Sequence, residues 1–141
     1  MFLRNAARQT FRTMSTLTPV RTQLSPPPAA SYSQAMKVNN MVFVSGQIPY
    51  TAENKRVEGT MTDKAEQVIQ NVKNILEEAN SALNKIVKVN IFLADINDFA
   101  EFNGVYGKYF NEHKPARSCV AVKDLPLNVD LEMEVVAVEK E

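Results

Sequence analysis

The side chains that could carry chemistry are few, and most of them stand near the C-terminal end of the chain. Arg117 and Cys119 lie within residues 115–120, at the start of a predicted strand. An arginine at a strand start is most often a surface ion pair. The alternative is a fixed fork for a substrate carboxylate, because a guanidinium group matches a carboxylate with two parallel hydrogen bonds. The residue types alone leave both interpretations open.

Cys119 and Glu132 are further candidates in this part of the chain. Cys119 has the type of a small buried side chain; as a nucleophile it would need a base, and His113 is the single histidine. Glu132 and Glu134 share one face of a predicted strand with Val136, which indicates that at least one of the two carboxylates is half-buried. A half-buried carboxylate can orient a water molecule or transfer protons.

The sequence lacks the motifs of several common classes of enzyme. It contains no Gly-rich phosphate loop and no G-x-S-x-G, H-E-x-x-H or C-x-x-C motif. One cysteine and one histidine also exclude a Cys-based zinc site and the usual histidine-rich metal sites. We therefore expect neither a cofactor nor a metal. The longest apolar runs have four residues, too few for a membrane-spanning helix.

Hydrophobic periodicity places the candidate residues on an α+β scaffold. Strands are predicted at residues 34–38, 41–45, 86–93, 117–122 and 129–139, and helices at residues 62–83 and 98–113. Asn39 and Asn40 tolerate the positive φ of a two-residue hairpin turn. The polar stretch 51–59 is a loop or a further hairpin. Two helices with one apolar face each predict a two-layer fold, in which they cover one face of a five- or six-stranded mixed sheet.

Finer expectations concern the two helices. Asp63 and Glu66 match a capping box for the first helix. The aromatic residues of the second helix are expected to face inward, its glycines to allow close approach of a neighbour, and His113 to stabilise the carbonyl groups at its end. The aromatic residues are Phe99, Phe102, Tyr106, Tyr109 and Phe110, and the glycines are Gly104 and Gly107.

The last predicted strand carries apolar side chains on both faces. Val129, Leu131 and Met133 begin the main apolar row, whereas Val136 and Val138 lie on the opposite face. Because the helices cover only one face of the sheet, the second apolar face must be buried against something else. In a mature chain of about 120 residues, another subunit is the natural candidate. The pattern therefore predicts an oligomer.

The formal charge of zero combines two unlike segments. The first 21 residues contain four arginines and no acid, and the rest of the chain carries 12 basic against 16 acidic residues, a net charge of −4. A segment rich in Arg, Ser and Thr without acids is typical of a mitochondrial transit peptide, with cleavage between Arg12 and Arg21; the alternative is a disordered tail. Residues 1–21 are assigned to the presequence and residues 22–141 to one domain. A start at Met14 would give a cytosolic form.

Several segments of the chain strongly resemble the RidA/YjgF family, most of all its C-terminal signature. The segments, which occur in the same order as in the family, are 45–49 (SGQIP), 70–76 (QNVKNIL), 87–99, 115–120 (PARSCV) and 125–138 (LPLNVDLEMEVVAV). The resemblance extends from Leu24 to Lys140. With its basic head, the chain is similar to the fungal mitochondrial matrix factor branch.

This resemblance implies a fold, an assembly and an activity. The fold is a chorismate-mutase-like α+β fold, assembled as a homotrimer with its sites in the clefts between subunits. The activity is that of an enamine/imine deaminase without a cofactor. It converts 2-aminoacrylate and 2-aminocrotonate, through the imines 2-iminopropanoate and 2-iminobutanoate, to 2-oxo acids and ammonia. Pyridoxal-phosphate-dependent dehydratases release these enamines, so the enzyme would protect matrix enzymes and support isoleucine synthesis.

The resemblance also implies roles for particular residues. Arg117 would bind the substrate carboxylate, and Glu132 with the backbone carbonyl of Cys119 would hold the attacking water. The residues that match positions lining the family's pocket are Tyr32, Gly46 and Asn103. Many members have Gly-Pro before the tyrosine where this chain has Ala30-Ser31, which leaves the conformation of the Tyr32 loop open.

Two alternatives come from other functional classes. RNA binding or cleavage is also reported within the family, but the net charge of −4 without a basic aromatic surface argues against it as the main role. A chaperone-like trimer that uses its surface for interactions is the other alternative.

Overall fold

The structure, a computed structural model, describes residues 15–141. Within these residues the chain forms a six-stranded sheet and two α-helices. The strands are β1 (Thr18–Val20), β2 (Ala35–Val38), β3 (Met41–Gln47), β4 (Ile86–Leu93), β5 (Ala116–Ala121) and β6 (Leu131–Val138), and the helices are α1 (Met61–Glu78) and α2 (Phe99–Tyr109). The strand order in the sheet is β1-β2-β3-β6-β4-β5, with β4 and β5 parallel and the other neighbours antiparallel. The predicted α+β fold with a mixed sheet is confirmed.

The hairpin of β2 and β3 forms where the sequence predicts it. Asn39 and Asn40 have φ angles of 50° and 62°. Two consecutive residues with positive φ define the type I′ turn, whose twist matches that of the flanking strands. The following stretch, 51–59, begins as a small hairpin that is closed by an isolated bridge between Tyr50 and Arg56.

β1 lies inside the segment that the sequence assigns to the presequence. It forms the edge of the sheet, where Thr18 pairs with Lys37 and Val20 with Ala35. Val20 is 6% exposed and belongs to the core. A three-residue strand is too short to show a hydrophobic period, and the sequence therefore does not predict β1. As a result, a domain that begins after Arg21 would lack this edge strand of the sheet. Residues 1–14, with Arg12 and Met14, lie outside the described residues.

The core lies between the sheet and the two helices. The apolar stripe of α1 and the alternate residues Leu131, Met133, Val135 and Ala137 of β6 are buried, as predicted. α1 packs on β3 and β6 and against α2. Within residues 15–141, neither helix is long and apolar enough to cross a membrane.

α1 begins at Met61, one residue before the predicted start, but its capping box lies three residues earlier than predicted. Thr60 is the N-cap, and its hydroxyl accepts a hydrogen bond from the Asp63 amide while the Asp63 carboxylate accepts one from the Thr60 amide. The hydrogen bonds that the Asp63 carboxylate accepts from the Thr60 amide and the Thr60 hydroxyl hold the pKa of Asp63 below its ordinary value. The capping box is therefore Thr60 with Asp63, and the box of Asp63 with Glu66 was wrong. The helix ends at Glu78 because Asn80 adopts a positive φ of 58°.

α2 ends at Tyr109, earlier than predicted, and one of the aromatic residues expected to face inward is exposed. The buried residues are Phe102, Val105, Tyr106 and, just after the helix, Phe110. Tyr109 is 38% exposed instead of inward, and the hydrogen bond that its hydroxyl donates to Glu66 raises the pKa of Tyr109 to about 12.

Two smaller expectations for α2 were also wrong. Gly104 and Gly107 lie on its exposed side, where an added Cβ would meet no other atom of the described residues within 4 Å. His113 lies beyond the helix, and its Nε2 is 2.5 Å from the carbonyl oxygen of Ile86. It therefore contacts the start of β4 and not the end of α2.

The sheet face opposite the helices carries the second apolar row that the sequence predicts. Val136 and Val138 are half-buried there, and their neighbour Phe43 is 45% exposed. Val120, on the adjacent edge strand β5, is 47% exposed. We call this surface the open face.

Candidate functional site

A cavity of about 530 Å³ opens on the open face of the sheet. Strands β3 and β6 contribute its polar lining, which consists of Ser45, Gly46, Glu132 and Glu134. Residues outside the strands contribute a lining that is mostly apolar: Ala29, Ala30, Tyr32, Ile48, Pro126 and Leu127. The cavity thus brings together three of the predicted site residues, and we call Tyr32, Gly46 and Glu132 with this cavity the cavity half.

An irregularity in β3 shapes the polar side of the cavity. Val44 pairs with Val135 and Gln47 with Met133, so Ser45 and Gly46 together oppose the single residue Glu134. Two residues opposite one define a β-bulge, a feature that is frequent next to active sites because it redirects the strand. The bulge places the backbone of Gly46 directly against Glu132.

Gly46 is required by the close approach of the Glu132 carboxylate. A Cβ added at Gly46 would lie 1.8 Å from Oε1 and 2.7 Å from Cδ of Glu132. No side chain at this position can coexist with the observed position of the carboxylate.

Glu132 is a half-buried carboxylate whose environment favours the protonated form. Burial, and secondly the neighbouring Glu134, raise the pKa of Glu132 above its ordinary value. Glu134 in turn accepts a hydrogen bond of 2.9 Å from the side chain of Asn90 on β4. A carboxyl group exchanges protons with a substrate more readily as its pKa approaches the working pH.

Tyr32 reaches the cavity from the loop before β2. Its hydroxyl accepts a hydrogen bond of 3.1 Å from the Ala29 amide, and the Tyr32 amide donates one of 2.9 Å to the Ala30 carbonyl. The loop with Ala30-Ser31 is therefore closed on itself without the Gly-Pro pair, and Tyr32 remains 48% exposed at the cavity.

Arg117, Asn103 and Cys119 lie together elsewhere, and we call these three residues the arginine half. Nη1 of Arg117 donates a hydrogen bond of 2.6 Å to Oδ1 of Asn103. The guanidinium carbon lies 4.7 Å from the ring centre of Tyr106 and 5.7 Å from that of Phe99. Phe99, Asn103 and Tyr106 are spaced i, i+4 and i+7 along α2, so one face of the helix holds the cation.

The surface ion pair that is usual for such an arginine does not form within residues 15–141. The positive charge is oriented by an amide oxygen and two rings, which leave it without a counter-charge among these residues. This arrangement suits the second interpretation of Arg117, a fork that binds an anion.

The side chain and the backbone of Cys119 face different surroundings. The side chain is half-buried against the core, and burial raises the pKa of its thiol, which makes it a weak nucleophile. The Val122 amide donates to the Leu93 carbonyl. Because backbone groups alternate in direction along a strand, those of Arg117 and Cys119 point away from β4, toward the outer edge of β5.

The two halves lie on opposite faces of the sheet. Arg117 neighbours Val89, which points into the core, whereas Glu132 neighbours Phe92 on the open face. Asn103 therefore accompanies Arg117 and not the cavity with Tyr32. A single chain does not bring the cation and the carboxylate into one pocket.

Comparison with known proteins decides the family. Residues 22–139 match the family model described as Endoribonuclease L-PSP. The chain belongs to the RidA/YjgF family. It is 68% identical to the protein MMF1, mitochondrial, of Saccharomyces cerevisiae over 144 residues, which cover 99% of each chain.

Two solved structures from the RidA/YjgF family illustrate how far the fold extends. The crystal structure of yeast Mmf1 has a TM-score of 0.88 and 73% identity and covers 89% of this chain and 100% of its own. The structure of Escherichia coli TdcF with bound serine has a TM-score of 0.82 and 38% identity, and the match covers 87% of this chain and 99% of the TdcF chain. The curated name of E. coli TdcF describes a reactive intermediate deaminase; its sequence is 39% identical over 122 residues, or 84% of this chain and 95% of its own.

Buried polar residues of this RidA/YjgF chain hold the loops around the cavity, and the sequence analysis missed them. Gln34 is 2% exposed and bonds through its side chain to the backbone of Thr22 at 2.7 Å and of Pro26 at 2.9 Å. Asn71 is fully buried and donates to the carbonyls of Ile48 and Tyr50 at 3.2 Å and 2.9 Å. Asn71 interrupts the apolar stripe of α1, and a polar residue on such a stripe is a signal that could have identified it.

Proposed function

We propose that the protein hydrolyses 2-imino acids, formed from reactive enamines, to 2-oxo acids and ammonia. The observation that carries this proposal is the pair of complementary halves on opposite faces of one sheet. One holds a half-buried carboxylate next to a glycine, and the other holds an oriented guanidinium group without a counter-charge among the described residues. Together they match a small substrate that has a carboxylate beside a carbon–nitrogen double bond.

The proposal requires an assembly in which two subunits complete each site. The open face carries Phe43, Val120, Val136 and Val138 and offers an apolar surface for burial. We propose a homotrimer, as in the family, with the cavity half of one subunit facing the arginine half of the next. A heterologous contact of this kind closes into a ring when the rotation fits.

In the proposed mechanism Arg117 of the partner subunit binds the substrate carboxylate. Glu132 and the outward carbonyl of Cys119 orient a water molecule against the imine carbon. As the carbon–oxygen bond forms, Glu132 accepts a proton from this water and passes it to the imine nitrogen, which gives a carbinolamine. Glu132 then takes the proton of the carbinolamine hydroxyl and passes it to the same nitrogen as the carbon–nitrogen bond breaks and the carbonyl forms. Ammonia leaves, the 2-oxo acid remains, and Glu132 returns to its first protonation state. Orientation of the water against an anchored electrophile can lower the barrier by several kcal/mol, about 7–11 in the best cases.

The relatives support the substrate class. E. coli TdcF carries the name of a reactive intermediate deaminase, and its crystal structure contains serine. Serine has a carboxylate and a nitrogen on the same carbon, as the proposed imino acids do. We propose 2-iminopropanoate and 2-iminobutanoate, the tautomers of the enamines that serine and threonine dehydratases release, as substrates, with isoleucine synthesis as the pathway that benefits.

The names of two relatives and the basic head support a proposal for the location. The S. cerevisiae relative MMF1 and the Schizosaccharomyces pombe relative mmf1 are both named mitochondrial. We propose import into the mitochondrial matrix and cleavage before Thr18, because a later cut would remove strands of the sheet beginning with β1. A fluorescent fusion of residues 1–17 that stays in the cytosol would contradict the targeting.

The activity is tested by generating 2-aminoacrylate with a dehydratase and following the release of pyruvate. Wild-type protein is expected to accelerate this release, whereas no acceleration would refute the deaminase. RNA cleavage measured with the same preparation is expected to be absent.

The shared site is tested by co-expressing the Arg117→Ala and Glu132→Gln variants with different tags. Each variant alone is expected to be inactive. In random trimers about one quarter of the sites combine an intact Arg117 with an intact Glu132, so about one quarter of the activity should return. Mixed oligomers without activity would show that the two residues do not meet between subunits.

A further inference from the structure

We infer that Leu127 selects the side chain of the substrate, and that Arg56 positions Leu127 for this task. This inference rests on the proposed function and adds to it a preference for imino acids with a hydrocarbon side chain. It starts from the division of the cavity lining. The polar groups come from the strands, and the apolar groups come from loops and turns, among them Ile48, Pro126 and Leu127.

Leu127 adopts a backbone conformation that leucine rarely takes. Its φ and ψ are 56° and 20°, and Asn128 follows with a φ of 52°. Asparagine tolerates the left-handed region, whereas leucine is seldom found there. A leucine is thus kept in a turn that its own backbone preference disfavours, and its side chain lines the cavity while 56% exposed.

Arg56 accounts for the stability of this turn. Its Nη1 donates to the Leu127 carbonyl at 3.4 Å and its Nη2 to the Asn128 carbonyl at 3.1 Å. The backbone of Arg56 pairs with that of Tyr50, and Arg56 lies far from the turn in sequence. Two donors on one rigid guanidinium group, bound to consecutive carbonyls, hold the peptide between them in one orientation.

The charges of the cavity point to the same class of substrate. The ionisable residues that line it, within residues 15–141, are Tyr32, Glu132 and Glu134, and none of them is a cation. With the substrate carboxylate bound to Arg117 of the partner subunit, its side chain is left to contact the apolar lining. A second carboxylate in the side chain would meet Glu132 and Glu134 without a counter-charge. Hydrocarbon side chains should therefore be preferred over acidic ones.

The test compares kcat/KM for 2-iminopropanoate, 2-iminobutanoate and 2-imino-4-methylpentanoate, each generated in the assay by an amino-acid oxidase. Wild-type protein should prefer the longer side chains. Leu127→Ala should reduce this preference by about fourfold for each methylene that loses its contact. Leu127→Asn, which suits the left-handed turn, should have the same effect, while Leu24→Ala, at a leucine that is 66% exposed outside the cavity, should not.

Arg56 is tested with a double-mutant cycle. Arg56→Ala should reduce the preference in wild-type protein but not in the Leu127→Ala variant, because the side chain that it positions is then absent. Lys55→Ala, a cation in the same segment, is the control that should change nothing. Equal losses for all three imines, or additive effects in the cycle, would overturn the inference. Wild-type protein that deaminates none of the imines would instead refute the proposed function.

Discussion

The cavity half and the arginine half differ in how each charged group is held. Glu132 lies in a half-buried position beside a second carboxylate, and both surroundings raise its pKa. Arg117 lies against an amide oxygen and two aromatic rings, all of which attract a cation. The carboxylate is thus placed where its charge is disfavoured, and the guanidinium group where its charge is favoured.

This difference matches the two tasks of the proposed mechanism. A group that binds a carboxylate should stay charged and oriented at all times. One face of α2, with Phe99, Asn103 and Tyr106, holds the Arg117 guanidinium group in this way. A group that transfers protons should change its protonation state easily, which burial and a like charge promote. The cavity half is also assembled from more separate pieces: a bulge, a strand and two loops. We therefore expect its variants to affect turnover and those of the arginine half to affect binding.

The largest effect is expected from Glu132→Gln. The amide keeps the shape of the side chain but cannot accept the proton, so kcat should fall by about 10²- to 10⁴-fold while KM changes little. Steady-state kinetics with 2-iminobutanoate measure both values. Glu78→Gln, at the exposed end of α1, is the matched control. A Glu132→Gln variant that mainly raises KM would assign the carboxylate to binding and remove the contrast between the halves.

Arg117→Lys should impair substrate binding by the arginine half, with a smaller effect than that of Glu132→Gln on kcat. Lysine keeps the charge but loses the bidentate fork and the stacking on Tyr106, so KM should rise about 10- to 100-fold with a smaller change in kcat. Arg21→Lys, at an exposed arginine, is the control. Full activity of Arg117→Lys would mean that a point charge suffices and that the orientation by α2 has no role.

The elements with strong periodicity could be predicted from the sequence, and the pairing of the site residues could not. The stripe of α1 and the alternation of β6 repeat over many residues, and Asn39-Asn40 is a specific turn signal. β1 is too short to repeat at all. The face on which Arg117 lies depends on its pairing with Val89, and therefore on β5 pairing with β4. Strand pairing is a tertiary contact that local sequence patterns do not determine.

The site residues themselves were found through the resemblance, whereas their supports were not. Gly46 was matched by position, but only the bulge explains why a glycine is needed there. Asn103 was matched to the family's pocket by position, but only the structure shows that its side chain holds Arg117. Arg56 and Leu127 are separated by many residues and share no motif, so their contact could not be read from the sequence.

Gly46→Ala tests whether the position of the Glu132 carboxylate matters in the cavity half, because it moves the carboxylate without removing it. The added Cβ would overlap Oε1 of Glu132 at 1.8 Å. The end of the side chain can rotate aside, so we expect little loss of stability but a fall in kcat of about 10-fold. Gly107→Ala, on the exposed side of α2, is the control. Wild-type kinetics in Gly46→Ala would show that the observed carboxylate position is not the reactive one.

Glu134→Gln tests the origin of the raised pKa. Glu132 must be ionised to accept the proton, so activity should fall as the pH drops through its pKa. Removal of the neighbouring negative charge lowers that pKa and should shift this acidic limb of the kcat profile to lower pH. The stability that a raised carboxyl pKa provides at low pH is lost as the pH rises through it, so the variant should also be more stable near neutral pH. An unmoved limb would exclude the influence of Glu134.

The smallest effect concerns Tyr106, whose ring supports Arg117. Its hydroxyl is buried and has no hydrogen-bond partner within residues 15–141, while the ring stacks on Phe110 at 4.3 Å and lies under the guanidinium group. Tyr106→Phe keeps the ring and removes the unpaired hydroxyl, so the free energy of unfolding should rise by about 1 kcal/mol with KM unchanged. Denaturant unfolding measures the first value and kinetics the second. If instead the variant loses affinity, the hydroxyl has a partner in the assembled site, and the arginine half is not complete within one subunit.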